Sequence, residues 1–126
     1  MKILGVIPAR SGSKAIKLKN IKVFNNKPLI YWTIKSAKKS KLSKLIVSTD
    51  SKKIKKISEY YGCEVPFLRP KNISGDKTKG IEVIQHALNF YEKKKMEKFD
   101  AVMTLQPTCP FRITEDINKA IQIMKT

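Results

Sequence analysis

The stretch that most constrains this chain is a short apolar run near its start, Ile3-Leu4-Gly5-Val6-Ile7, which breaks at Pro8 into a loop carrying Arg10, Ser11, Gly12, Ser13, Lys14 and Lys19. The run is rich in β-branched residues and reads as a buried strand. A loop of small residues after such a strand is how an anion site begins. Backbone N–H groups converge on a phosphate without interference from Cβ atoms, and Arg10, Lys14 and Lys19 supply charge that the backbone dipoles cannot. The same pattern also fits an ordinary polar connection on an α/β surface. It is not a P-loop, because no Gly-Lys-Ser/Thr closes it. Nor is it the dinucleotide G-x-G-x-x-G, because Gly5 and Gly12 have the wrong spacing.

The strand-loop-helix order recurs along the chain. Ile30, Ile34 and Ala37 share one face of a helix expected over 28–41, with Pro28 in its first turn. A second strand, Leu45-Ile46-Val47, runs into Ser48-Thr49-Asp50-Ser51, where Asp50 or Ser51 can cap a helix that buries Ile54, Ile57 and Tyr61 and ends at Gly62. A third strand is expected over 64–68, ended by Arg69-Pro70. A polar loop then leads, from Thr78 or Gly80, into a long amphipathic helix through Ile81, Ile84, Leu88 and Tyr91. A fourth strand over 101–105 delivers Gln106-Pro107, and a last helix begins at Thr114-Glu115-Asp116. Strand-helix repeats without a hairpin signal predict an α/β fold, a doubly wound, Rossmann-like parallel sheet in the order 3-2-1-4 within a single domain over 1–126. In that arrangement ligands collect at the carboxyl ends of the strands.

Composition removes several function classes. The chain has 126 residues, 41% hydrophobic and 29% charged, an ordinary mixture for one globular domain. No apolar run approaches the roughly 20 residues of a membrane helix, and the start lacks the layout of a signal peptide, so a cytoplasmic location is expected. Cys63 and Cys109 are too few for a disulfide framework or a Cys-x-x-Cys metal site, and the single His86 falls in a helical pattern as a satisfied surface or core-edge residue. The net charge of +17 raises nucleic-acid binding as a reading. Nearly all of that charge is lysine, which clusters on expected helix exteriors such as Lys35-Lys38-Lys39-Lys41 and Lys52-Lys53-Lys55-Lys56, and the sequence interleaves no aromatics with it. The arginines are only Arg10, Arg69 and Arg112, the side chains best suited to grip phosphate or carboxylate through two hydrogen bonds.

Four ordered blocks carry a resemblance. Ile7-Pro8-Ala9-Arg10-x-Gly12-Ser13-Lys14-x-Ile16-x-x-Lys19-Asn20-Ile21, Val47-Ser48-Thr49-Asp50, Glu64-Val65-Pro66-Phe67-Leu68-Arg69-Pro70 and Leu105-Gln106-Pro107-Thr108-Cys109-Pro110-Phe111-Arg112 resemble the acylneuraminate cytidylyltransferases. These enzymes activate sialic and related nonulosonic acids as CMP-sugars. The resemblance implies a nucleotidyltransferase in which the anomeric hydroxyl of the sugar acid attacks the α-phosphate of CTP and pyrophosphate leaves. It implies that Arg10, Ser13, Lys14 and Lys19 contact the triphosphate, that Asn20 contacts the nucleoside, with Ala9 near the base, and that Arg69 closes the nucleotide pocket. Gln106 would hydrogen-bond the sugar acid, with Arg112 as a structural or sugar-side contact. Asp50 is read as a helix cap and Asp76 as a loop residue near the nucleotide, neither of them catalytic.

Enzymes of the resembled family are longer, with a C-terminal part that completes the sheet, dimerises the protein and carries aspartates for a catalytic Mg2+. The chain is therefore expected to be an N-terminal piece, with its magnesium ligands outside it and a homodimer formed by the complete enzyme. Gly80 departs from the family's usual Ser or Thr, for which Thr78 is a substitute from another position, and Cys109 and Phe111 depart in the fourth block. Two alternatives stand beside this reading. One is a ketodeoxyoctonate cytidylyltransferase, which usually places an acidic residue where this chain has Thr108-Cys109. The other is a non-catalytic basic module that binds RNA or another polyanion.

Overall fold

The structure is a computed structural model that describes residues 1–12, 19–107 and 114–125. Its centre is β1 (Ile3–Pro8), paired in parallel with β4 (Lys44–Ser48) on one side and β5 (Ala101–Thr104) on the other. Between β1 and β4 lie β2 (Val23–Phe24), β3 (Lys27–Pro28) and helix α1 (Leu29–Lys38), followed after β4 by α2 (Lys52–Tyr60) and α3 (Gly80–Lys94), with α4 (Thr114–Lys125) last. Successive side chains of β1 point to opposite faces, so Ile3 and Ile7 enter one core while Leu4 and Val6 enter the other. Ile30, Ile34 and Ala37 of α1, Ile54 of α2 and Ile117 and Ile121 of α4 cover the first face. Val83, Ala87 and Tyr91 of α3 cover the second. A parallel strand covered on both faces needs an unbroken apolar run, as β1 has. At Gly5 a Cβ would lie 2.6 Å from Leu42 Cδ1, so the strand owes its close approach to the first core to the absent side chain.

The third segment lies beside β4 where the order 3-2-1-4 requires it, but it is not the continuous strand expected over 64–68. It contributes two isolated parallel bridges, Ile46 with Glu64 and Thr49 with Leu68, sealed by hydrogen bonds from Val47 N–H to the Glu64 carbonyl (3.0 Å) and from Arg69 N–H to the Thr49 carbonyl (2.7 Å). Between them, Pro66 has no N–H to give to a ladder.

A hairpin is also present where none was expected. β2 and β3 pair antiparallel around Asn25 (φ 49°) and Asn26 (φ 68°), two left-handed residues as a type I′ turn demands. Asparagine tolerates that conformation because its short amide bonds locally. Trp32 of α1 anchors the hairpin by donating its indole N–H to the Phe24 carbonyl at 2.8 Å.

Helix α1 stops at Lys38, short of the expected 41, where Ser40 turns back to bond the Ala37 carbonyl through both its N–H and its hydroxyl. Of the two caps open for α2, Ser51 fills the position: its side chain accepts from Ile54 N–H at 3.2 Å. Asp50 turns elsewhere.

Packing also gathers what the sequence keeps apart. Tyr31, Trp32, Tyr60 and Tyr61 form an edge-to-face chain beside α1 and α2, with Lys27 over Tyr31 and Lys35 over Trp32. Aromatics therefore do stand among the lysines, contrary to the linear reading. Cys63 is buried and burial pushes its thiol up to about 12, which makes it a packing residue without a thiolate near neutral pH. His86 sits edge-on against Phe67 at 4.5 Å, at the margin of the second core as expected, but its Nδ1 is buried without a hydrogen-bond partner. Burial, with the nearby positive charge of Arg69, lowers its pKa and so favours the neutral imidazole.

The cap assignment has a direct test. Ser51→Ala should lower unfolding free energy by about 1 kcal/mol, the usual cost of a lost N-cap, whereas Ser51→Asp should retain it. Urea denaturation followed by circular dichroism measures both.

Candidate functional site

The carboxyl ends of β1 and β5 open into a cavity of about 260 Å³. Arg10 and Gly12 reach it from the loop after β1, Asn20 from a short 3-10 turn (Lys19–Ile21), Arg69 from the end of the third segment, and Gln106 from beyond β5. Asp76, Thr78 and Gly80 close the far wall, where α3 begins. These groups are remote in sequence and meet because parallel strands point all their carboxyl ends the same way.

Arg10 is a partly exposed cation, and its Nη1 lies 2.7 Å from a carboxylate oxygen of Asp76 across the mouth of the cavity. Arg69 is almost wholly buried, at 5% exposure. Its Nη1 donates to the Ile73 carbonyl and its Nη2 to the Ser48 carbonyl, both at 3.1 Å, while its Nε is buried without a partner. Burial lowers its pKa, Asp50 opposes that shift, and Arg10 adds to it by like-charge repulsion. Arg69 thus braces the third segment against β4 while presenting a fixed positive wall to the cavity. Asn20 is 4% exposed and donates its amide to the Arg10 carbonyl at 3.1 Å.

Asp50 is not a cap. Its two carboxylate oxygens accept from Ser11, one from the N–H at 2.7 Å and one from the hydroxyl at 2.8 Å. Nor does the sequence alone single out Asp76 as the counter-ion of Arg10. The signal for Ser11 was its place between Arg10 and Gly12, but its partner is 39 residues away and no local pattern points to it.

The expected site residues divide as follows. Arg10, Asn20, Arg69 and Gln106 are brought together around the cavity. The Ala9 side chain is not: it is fully buried in the first core, because strand alternation sends it toward the helices α1 and α4. Ser13, Lys14 and Arg112, and the Thr108-Cys109 pair, lie outside the described residues, as does the side chain of Lys19. Thr78 lines the cavity as a substitute hydroxyl would, yet its Oγ1 already accepts from Gly75 N–H at 3.0 Å. At Gly80 a Cβ would meet nothing within 4 Å, so the glycine leaves open space rather than relieving a clash.

The described residues offer no preformed cage of protein ligands for magnesium, an ion usually held by one or two carboxylates together with substrate phosphates. No group of three or more potential ligands occurs among them. The one carboxylate on the cavity wall is engaged by Arg10, and both oxygens of Asp50 are taken by Ser11.

A family model described as cytidylyltransferase matches residues 4–126. The chain is 40% identical over 126 residues to the N-acylneuraminate cytidylyltransferase of Escherichia coli O18:K1:H7, covering 99% of this chain and 29% of that protein. It is 41% identical, again over 99% of its length, to the CMP-N,N'-diacetyllegionaminic acid synthase of Legionella pneumophila, of which it covers 54%. A pseudaminic acid cytidylyltransferase of Campylobacter jejuni is 38% identical over 120 residues, 94% of this chain and 51% of that protein. The chain spans about half the length, or less, of these curated relatives. Among solved structures, a CMP:2-keto-3-deoxy-manno-octonic acid synthetase complexed with CTP superposes with a TM-score of 0.81 over 99% of this chain and 48% of its own. At 21% identity that likeness concerns the fold.

The Arg10–Asp76 pair generates a prediction about anions. Asp76→Asn should release Arg10 and tighten binding of inorganic pyrophosphate about 1.4- to fivefold, the range set by the ~0.2–1 kcal/mol of an exposed ion pair. Isothermal titration at low and high salt checks it, with the gain shrinking as salt rises.

Proposed function

This chain belongs to the cytidylyltransferase family, and on that premise we propose that it serves the transfer of a cytidylyl group from CTP to a nonulosonic acid. In that reaction the anomeric oxygen of the sugar acid forms a bond to the α-phosphorus as the bond to the pyrophosphate oxygen breaks. The protein's main work is to position the two substrates and to meet the charge that develops on the leaving pyrophosphate. The observation that carries the reading is the convergence of Arg10, Asn20, Arg69 and Gln106 on one cavity at the carboxyl ends of the strands.

Within this reading Arg10 holds the triphosphate, exchanging the carboxylate of Asp76 for phosphate oxygens. Asn20 and Arg69 line the nucleoside part, the latter as a fixed cation that solvent scarcely reaches. Gln106, exposed beyond β5 on the opposite side of β1 from Arg69, takes the sugar acid. Lys14, Lys19 and Ser13 remain proposed triphosphate contacts from the same loop. Magnesium is a proposed requirement of the reaction, with no ligand assigned among the described residues, and a cytoplasmic homodimer is the proposed form of the complete enzyme. No described helix is long and apolar enough to cross a membrane.

The relatives at 38–41% identity are named for nonulosonic acids, which favours that substrate class over ketodeoxyoctonate. The basic-module alternative draws on the lysines and aromatics beside α1 and α2. Calorimetric titration separates it: CTP binding that survives moderate salt and exceeds binding of ATP supports the proposed function, whereas polyanion binding with a steep salt slope and no preference for CTP refutes it.

Two substitutions test the division of the cavity. Arg10→Ala should weaken CTP binding by about 2 kcal/mol, as loss of a charge-assisted phosphate contact does. Gln106→Ala should raise the sugar-acid KM about tenfold, a loss near 1.4 kcal/mol, with the CTP KM nearly unchanged. A pyrophosphate-release assay on the complete enzyme with magnesium, CTP and a series of nonulosonic acids measures the second, and a rise in the CTP KM alone would reverse the assignment.

A further inference from the structure

The loop that carries Arg10 is tied down at one peptide unit. The carbonyl of the Arg10–Ser11 peptide accepts from the Asn20 amide at 3.1 Å, and its N–H donates to Asp50 Oδ1 at 2.7 Å. The second oxygen of Asp50 accepts the Ser11 hydroxyl at 2.8 Å. Two residues upstream of Ser11, the Ala9 N–H donates to the Ser48 carbonyl at 2.9 Å, which also accepts from Arg69 Nη2. The Thr49 carbonyl accepts from Arg69 N–H at 2.7 Å. Ser48, Thr49 and Asp50 therefore form a short hub at the end of β4 that reaches the Arg10 loop on one side and Arg69 on the other.

We propose that Asp50 is a positioning residue for the nucleotide site, holding the Arg10–Ser11 peptide in the orientation that aims the Arg10 guanidinium and the Gly12 backbone into the cavity. The inference rests on the nucleotide reading of that cavity. Three observations distinguish it from a carboxylate with a merely local role. Ser51, not Asp50, caps α2, so the helix does not explain the residue. Both Asp50 oxygens are directed to neutral donors of a single loop residue, a charge-assisted pair that is stronger and shorter than a neutral one. A peptide pinned at both its carbonyl and its N–H cannot rotate about its plane without breaking two hydrogen bonds, so the adjacent Arg10 side chain starts from a fixed Cα–Cβ direction. Binding then has less loop freedom to remove, which is the benefit of preorganisation.

The experiment joins a ligand-free readout to a coupling measurement on the protein. In the free protein, Ser11 amide exchange followed by NMR should be slow, and Asp50→Ala should make it fast while thermal unfolding stays cooperative. In CTP titrations, Asp50→Ala should weaken binding about tenfold in the wild-type background but less than about twofold in the Arg10→Ala background, because Asp50 acts through Arg10. Asp50→Asn, which keeps the shape and can bond Ser11 through a reoriented hydroxyl, should restore affinity to within about threefold of wild type. Unchanged Ser11 exchange in Asp50→Ala, wild-type CTP affinity in that variant, or full additivity with Arg10→Ala would each overturn the proposal. The nucleotide reading fails separately, if Arg10→Ala itself leaves CTP binding intact. In that case any effect of Asp50→Ala on CTP cannot run through Arg10, and the positioning role falls with it.

Discussion

The structure depends on one strand that has no free side. β1 is hydrogen-bonded along both edges and packed on both faces, so its backbone polar groups are satisfied by β4 and β5 and its side chains by two separate cores. A strand so enclosed has a fixed register, since a slip of one residue would exchange Ile3 and Ile7 for Leu4 and Val6 between faces and bring the Gly5 gap to the wrong core. The loop that follows begins at a rigid point. That rigidity is what allows a short loop to place Arg10 accurately, where a cation on an exposed helix would sweep a large volume before finding a phosphate.

Charge at the cavity is arranged differently from charge on the surface. Many of the lysines, among them Lys35, Lys38, Lys52, Lys53 and Lys56, stand exposed on helix exteriors, where water and salt screen them. The two arginines among the described residues are each given a defined partner: Arg69 has two backbone carbonyls at its guanidinium and the field of Asp50 behind it, and Arg10 has Asp76 at 2.7 Å. Burial makes Arg69 costly to hold as a bare cation, and the carbonyl bonds offset that cost without neutralising it. Its positive field therefore persists in the cavity. Arg10 is more exposed, and its counter-ion lies on a separate loop, so the charge can be handed to an incoming anion. In the proposed function the two would serve different parts of a nucleotide, the fixed cation shaping a recess and the exchangeable one gripping a group that must later leave.

Much of this was legible in the sequence, and what was not has identifiable physical causes. The apolar periodicities of Ile30, Ile34 and Ala37, and of Ile54 and Ile57, placed helices correctly, because burial of one face is a local signal with a fixed period. The run Glu64-Val65-Pro66-Phe67-Leu68 has strand composition but lacks one N–H at Pro66, and the ladder shrinks to two bridges. Asn25-Asn26 was a readable turn that the expected strand-helix rhythm obscured. Arg10, Asn20, Arg69 and Gln106 could be nominated from their blocks, but the partners of Asp50 and Asp76 could not. Those contacts span the sequence and depend on where crossovers deliver loops, which residue type alone does not encode.

The exchange between a linear and a spatial reading also decides what Asp50 means. Next to Ser51, at the start of a helix, an aspartate satisfies every rule for a cap, and the backbone would accept either residue there. The hydroxyl of Ser51 is sufficient for that task because one acceptor for the Ile54 N–H is all that the cap needs. This frees a carboxylate with two acceptors at the end of β4, adjacent in space to the end of β1 because the strands are paired through Pro8 and Ser48. Strand pairing thus converts a redundant local signal into a long-range tether, and the division of labour between two neighbouring residues follows from how many hydrogen bonds each can accept.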